Sequence, residues 1–140
     1  MTTQHKDHLG SVADFMKAMG QPVGRGWEDG GGLLLGMSLI AEEHVELVDA
    51  CRDLMHSGQD MPRREAFTKE LADLLYVAYW LAARIGIDID AAFRAVHKSN
   101  MSKLGADGRP LKREDGKVLK GPDYVPPDLS RIVESVPVSL

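Results

Sequence analysis

The chain has a single cysteine, Cys51, among its 140 residues. That count excludes an internal disulfide and fits a reducing compartment. Aromatic residues are scarce, at 6%. Long apolar runs are missing too. The longest, "GGLLLGMSLIA" and "LLYVAYWLAA", fall well short of the ~20 residues that a membrane span requires. The opening "MTTQHKDHLG" lacks the apolar core of a secretory signal. Strand-like alternation is nearly absent before residue 105. These absences give the expectation of a cytoplasmic, all-α protein without membrane attachment, one domain spanning residues 1–140.

Charge is unevenly placed beneath the net value of −4. Residues 28–90 hold 13 acids against 5 bases, whereas residues 97–120 hold 7 bases against 3 acids. The first block suits cations and the second suits anions. Neither makes the continuous basic face of a nucleic-acid binder, so no nucleic-acid partner is expected.

Apolar spacing predicts four helices, at about 9–19, 33–55, 63–85 and 89–104. Ser11 is a candidate N-cap and Gly20 a stop for the first, and Asp88 or Asp90 a cap for the fourth. "QPVGRGWEDGGG" reads as a glycine-rich loop before the second helix. The tail, 105–140, has two Asp-Gly turns and two proline-marked extended stretches. It reads as irregular, a loop or small hairpin.

The acids of the second helix are placed unusually. On a wheel of about 100° per residue with Leu39 at zero, Leu39, Ile40, Leu47, Ala50, Cys51 and Leu54 fill the arc from about 0° to 120°. Glu43 falls at about 40°, inside that stripe, and Glu46 and Glu42 at its edge. The third helix repeats the anomaly with Glu70 and Asp73, three apart; from residue 71 to 83 Asp73 is the sole charge. An unpaired carboxylate on an apolar face protonates, pairs with a base or binds a metal. Two helices each offering carboxylates at this spacing suit a cation held between them. No Cys or His cluster accompanies the acids, and all-oxygen donors favour Mg²⁺ or Mn²⁺ over Zn²⁺. A segment as apolar all round as the third helix is buried on several sides, which points to a dimer or a dimer of dimers with Tyr76, Tyr79 or Trp80 near the interface.

Glu42-Glu43-x-x-Glu46, followed after 23 residues by Glu70-x-x-Asp73, resembles the metal motif of the all-α nucleoside triphosphate pyrophosphohydrolases. That superfamily includes MazG, the dimeric dUTPases and phosphoribosyl-ATP pyrophosphohydrolase. "HKSNMSK" and "DGRPLKREDGKVLKGPDYVPPDL" extend the resemblance over about residues 8–130. It implies a four-helix MazG-like bundle, assembled as a dimer or larger, and Mg²⁺-dependent hydrolysis of a nucleoside triphosphate to monophosphate and pyrophosphate. It implies Glu43, Glu46, Glu70 and Asp73 as metal ligands, and Glu42 as the residue that orients or deprotonates the attacking water. Asn100 and Lys103 match a polar patch near the phosphates. Arg113 and Lys117, on the basic tail, are further candidate phosphate contacts, on a segment expected to close over bound nucleotide. Three functions stay open: a dUTP-directed or house-cleaning pyrophosphohydrolase, phosphoribosyl-ATP hydrolysis in histidine biosynthesis, or a helical dimer that binds nucleotide or a partner without turnover. The chain departs from many relatives in the "WEDGGGLLLGMS" segment, which leaves base preference open.

Overall fold

The computed structural model describes residues 7–134. Among them lie five helices and no extended strand: α1 (His8–Ala18), α2 (Gly30–Ser57), α3 (Met61–Ile85), α4 (Ile89–Met101) and the short α5 (Ser130–Glu134). The described residues divide into two compact units, 7–87 and 88–134.

Aspartate starts each of the first four helices. Asp7, Asp29, Asp60 and Asp88 accept hydrogen bonds from the backbone N–H of Gly10, Gly32, Arg63 and Ala91, groups that have no partner inside the helix. The expected cap at Ser11 is therefore corrected to Asp7; Ser11 instead donates its hydroxyl to the Asp7 carbonyl at 3.0 Å. The cap at Asp88 is as expected. The start of α2 is also corrected, from 33 to Gly30. Glycine disfavours helix, yet the Asp29 cap carries Gly30, Gly31 and Gly32 into the first turn. At the far end of α4, three residues placed in the helix leave it as turns, and the helix ends at Met101.

In the first unit, α3 packs against both α1 and α2. The α1 side contributes Leu9, Val12, Ala13 and Met16, and α3 contributes Trp80, Ala82, Ala83 and Ile85, all buried. Trp80, one of the three aromatics offered for a subunit interface, is a core residue of the protomer, and its indole N–H donates to Gln21 Oε1 at 2.9 Å. The glycine-rich loop before α2 ends α3. Gly24, Arg25 and Gly26 donate their N–H groups to the carbonyls of Ala83, Arg84 and Ile85, each at 2.8 Å, and Gly86 and Ile87 donate to Ala82. The last four carbonyls of α3 are thereby all satisfied. Gly24 and Gly26 hold φ of +64° and +80°, a path that side-chain-bearing residues adopt at a cost.

α2 and α3 run antiparallel at close range. A Cβ on Gly32 would meet Arg84 Nε at 2.7 Å, and one on Gly36 would meet Leu81 Cδ1 at 2.5 Å. At the other end of the pair, Arg63 Nε lies 3.2 Å from an Asp53 carboxylate oxygen.

The second unit joins α4 to the tail. Ser99 donates its hydroxyl to the Val125 carbonyl at 2.7 Å, and Val125 N–H donates back to Ser102 Oγ at 3.0 Å. Residues 111–119 form a hairpin with a bridge between Lys112 and Val118. Its turn ends at Gly116, with φ +85°, as the Asp-Gly pair led one to expect. The "irregular" tail thus carries a hairpin and, beyond it, α5.

Met16 is fully buried between α1 and α3. Met16→Ala should destabilise the fold by about 2–5 kcal/mol, read from urea denaturation. Asp7→Ala should cost about 1 kcal/mol through the lost cap. A Met16→Ala protein as stable as wild type would contradict this packing.

Candidate active site

The antiparallel pairing sets what faces what along the α2–α3 seam. Gly32 lies against Arg84. Fourteen residues further along α2 is Glu46, and fourteen back along α3 is Glu70. Seven more in each direction reach Asp53 and Arg63, which pair. Steps of seven are two helical turns, so the same sides of both helices meet at every level.

The structure brings Glu43, Glu46 and Glu70 together: one carboxylate oxygen from each lies within 4.8 Å of the others. Glu43 Oε2 and Glu70 Oε2 are buried and have no hydrogen-bond partner. Buried carboxylate oxygens without donors are costly, and this set is all oxygen, three like charges at short range. A hard divalent cation fits such donors. The neighbours raise the Glu46 carboxyl above its ordinary range, the Glu43 charge most, then burial, then the hydrogen bond and charge of Glu70.

The other predicted residues are placed as follows. Asp73 lies one turn from Glu70, at the level opposite Glu43, and is outside the trio. Its carboxylate accepts from Lys69 Nζ at 2.6 Å. Glu42 is exposed beside the cluster on α2 and is not among the clustered carboxylates. In the second unit, Asn100 is exposed in the last turn of α4. Phe93 and Val96 on the same helix are 71% and 39% exposed. Lys103 is half-buried and its carbonyl accepts from Gly121 N–H at 3.0 Å. Arg113 is held by Asp115 across the hairpin turn, with Nε 2.9 Å from the carboxylate, and that partner raises its pKa. Lys117 follows in the same hairpin, its N–H on Asp115 at 3.1 Å.

Sequence reasoning overlooked Lys69. Its ammonium sits 2.6 Å from Asp73 and 3.2 Å from Glu70. Asp73, then Glu70, raise its pKa, against the opposing effect of burial. The signal was available, since a lysine four residues before an acid reaches it on one helix face. Overlooked as well was Asp29, which caps α2 and pairs with Arg84 at 2.5 Å.

A model of the family described as phosphoribosyl-ATP pyrophosphohydrolase matches residues 12–100. The match contains every acid of the cluster, Glu42, Asp73 and Asn100, and stops short of Lys103, Arg113 and Lys117. No curated protein matches the chain significantly.

The Glu46 shift has a pH signature in metal-free protein. A carboxyl whose pKa is raised on folding favours the folded state while it is protonated. That contribution is full below the ordinary glutamate value of 4.5 and is lost as pH rises through the raised value. Glu46→Gln does not titrate, so in EDTA its stability relative to wild type should rise as pH climbs from below the ordinary glutamate value of 4.5 through the raised one. Urea midpoints of the two proteins across that range check this; a difference that does not change with pH would refute it.

Proposed function

Because the chain belongs to the phosphoribosyl-ATP pyrophosphohydrolase family and is therefore a hydrolase of phosphoanhydride bonds, we propose that it is a Mg²⁺-dependent nucleoside triphosphate pyrophosphohydrolase of the dUTP-directed or house-cleaning kind. The observation that carries the cation-dependent chemistry is the trio Glu43, Glu46 and Glu70, one carboxylate oxygen of each within 4.8 Å of the others, with one buried, unpartnered oxygen on each of Glu43 and Glu70.

In this reading Glu43, Glu46 and Glu70 would hold the ion, Mg²⁺ or Mn²⁺, with Asp73 as a further ligand. When bound, the ion supplies charge neutralisation at the phosphates and acidity to a coordinated water. Phosphoryl transfer asks mainly for positioning and electrostatics. Glu42, exposed and free of ligand duty, accepts the proton of the attacking water. Water oxygen bonds to phosphorus, the bridge between the α- and β-phosphoryl groups breaks, and pyrophosphate leaves with the bridging electron pair. Asn100, Lys103, Arg113 and Lys117, all in the second unit, are the proposed phosphate-binding groups.

A second reading, phosphoribosyl-ATP as substrate, is favoured by the description of the matching family. Both readings break the same bond, so the carboxylates serve either. The tail beyond residue 100, outside the match, speaks for the first. Pyrophosphate release with Mg²⁺ across canonical and deoxy nucleotides, dUTP included, and phosphoribosyl-ATP separates them; nucleotide binding without release from any would favour a non-catalytic binder.

Glu43→Gln should abolish metal-dependent pyrophosphate release and retain the fold. Glu42→Gln should leave Mn²⁺ binding largely intact while turnover falls by about 100-fold or more. Wild-type release rates from both variants would refute the site.

We also propose assembly as a homodimer or dimer of dimers. Leu34, Met37, Leu71, Leu75 and Tyr76 on α2 and α3 are 40–74% exposed in the single chain, more apolar side-chain surface on one helix pair than a monomer ordinarily leaves open. Sedimentation at micromolar concentration should show a species of at least twice the 15.4 kDa protomer; a protomer-sized species alone would rule assembly out.

A further inference from the structure

We infer that Asp29 and Arg84 are positioning residues for the metal-binding carboxylates: their ion pair fixes the register in which α2 carries Glu43 and Glu46 past Glu70. The inference rests on the reading of that cluster as a cation site.

Three levels of charge lie along the α2–α3 seam. At one end, Asp29 meets Arg84. At the other, Asp53 meets Arg63. Between them, Glu43, Glu46 and Glu70 meet as like charges. The middle level repels and pushes the helices apart or past each other. The paired charges at the two ends oppose this, and both do so in the register that stacks Glu46 on Glu70. Slipping one helix by a residue moves its side chains by about 1.5 Å along the axis and about 100° around it. Such a slip separates acid from base at both ends together.

The two end pairs are unequal. Asp53 and Arg63 side chains are 54% and 32% exposed, and a pair so wet contributes little. Asp29 and Arg84 are 16% and 17% exposed. Their attraction is less screened, and its loss leaves a charge in a sheltered place. Both partners are also anchored. Asp29 is the N-cap of α2, bonded to Gly32 N–H at 3.0 Å, so the pair grips the helix end itself. Arg84 lies over the Trp80 ring at 5.9 Å and its carbonyl is capped by Arg25 N–H. The bare α-carbon of Gly32 makes room for the contact, since a Cβ there would press on Arg84 Nε.

Helices are stiff along their axes, so a displacement at Arg84 arrives at Glu70, about 21 Å away, nearly undiminished. Mg²⁺ demands near-ideal octahedral geometry with oxygens at about 2.0–2.1 Å. A slip of one residue's rise is most of a bond length there. The pair therefore sets how ready the carboxylates are to receive the ion.

The test is calorimetric titration of the full chain with Mn²⁺ alone. Asp29→Asn keeps the cap, since asparagine caps as well as aspartate, and removes the charge. It should weaken Mn²⁺ binding about fivefold or more. Met16→Ala, which loosens the α1 side of the core, should stay within about twofold of wild type. Arg84→Lys, which keeps the charge on a shorter reach, should fall between. Asp29→Asn with wild-type affinity overturns the inference, as does an equal loss in Met16→Ala, because the effect is then general loosening. If Asp29→Asn does not fold, Arg84→Lys decides: weaker Mn²⁺ binding with an unchanged helical spectrum supports the inference, and wild-type affinity overturns it. Absence of Mn²⁺ binding by the wild-type chain overturns the cation-site reading and the inference together, whereas binding that Asp29→Asn shares overturns the inference alone.

Discussion

Repulsion among Glu43, Glu46 and Glu70 is the constraint around which the first unit is arranged. Three carboxylates within 4.8 Å oppose the close approach of the helices that carry them. The approach happens all the same, at the end where α2 opens with glycines. Gly32 and Gly36 are buried one turn apart, and their bare α-carbons let α3 come in at Arg84 and Leu81. Opposite charge is placed at both ends of the seam, and like charge between them. Gly32 and Gly36 are thus packing positions against α3, although the segment's composition is that of a loop.

The same contacts explain the segment before α2. It has no regular structure, yet three of its consecutive N–H groups finish α3. Chain leaving α1 therefore closes the C-terminal end of α3 immediately before it begins α2. Asp29 sits where the two tasks meet, capping one helix and holding the other. Change at this segment reaches the acidic cluster through the helices and not through proximity.

Much of the candidate site was legible in the sequence because helix periodicity is local. Glu43 on an apolar stripe, with Glu46 and Glu70 at compatible spacing, needed only residue numbers and the helical repeat. The all-α class followed from the same periodicity. The misplaced features depend on partners distant in sequence. Nothing near Gly30–Gly32 announces that Arg84, more than fifty residues on, gives these glycines a reason to be helical. Ser11 and Asp7 both have cap chemistry, and the choice falls to Asp7 because Leu9, inside the helix it starts, is buried. Trp80 reads equally well as interface or core from its own segment, and its partner Gln21 lies in a loop that periodicity leaves uninterpreted. The pairing of Asp73 with Lys69 is local, four residues apart on one helix, and so is legible from spacing alone.

That base bears on how the cluster behaves. Lys69 is two-thirds exposed and yet bridges Glu70 and Asp73, so the protein carries its own counter-charge at the edge of the acids. A single ammonium neutralises one negative charge among four and offers donors that reach two of the four residues. It leaves the buried oxygens of Glu43 and Glu70 without partners. Under the proposed reading a divalent ion has a residual charge to neutralise and must also compete with Lys69 for Asp73. The affinity of the site is then a difference between two cations, one mobile and one tethered to α3, where it bridges Glu70 and Asp73. The acids and their nearest base therefore act as one unit, with the register of α2 against α3 deciding how closely that unit is assembled.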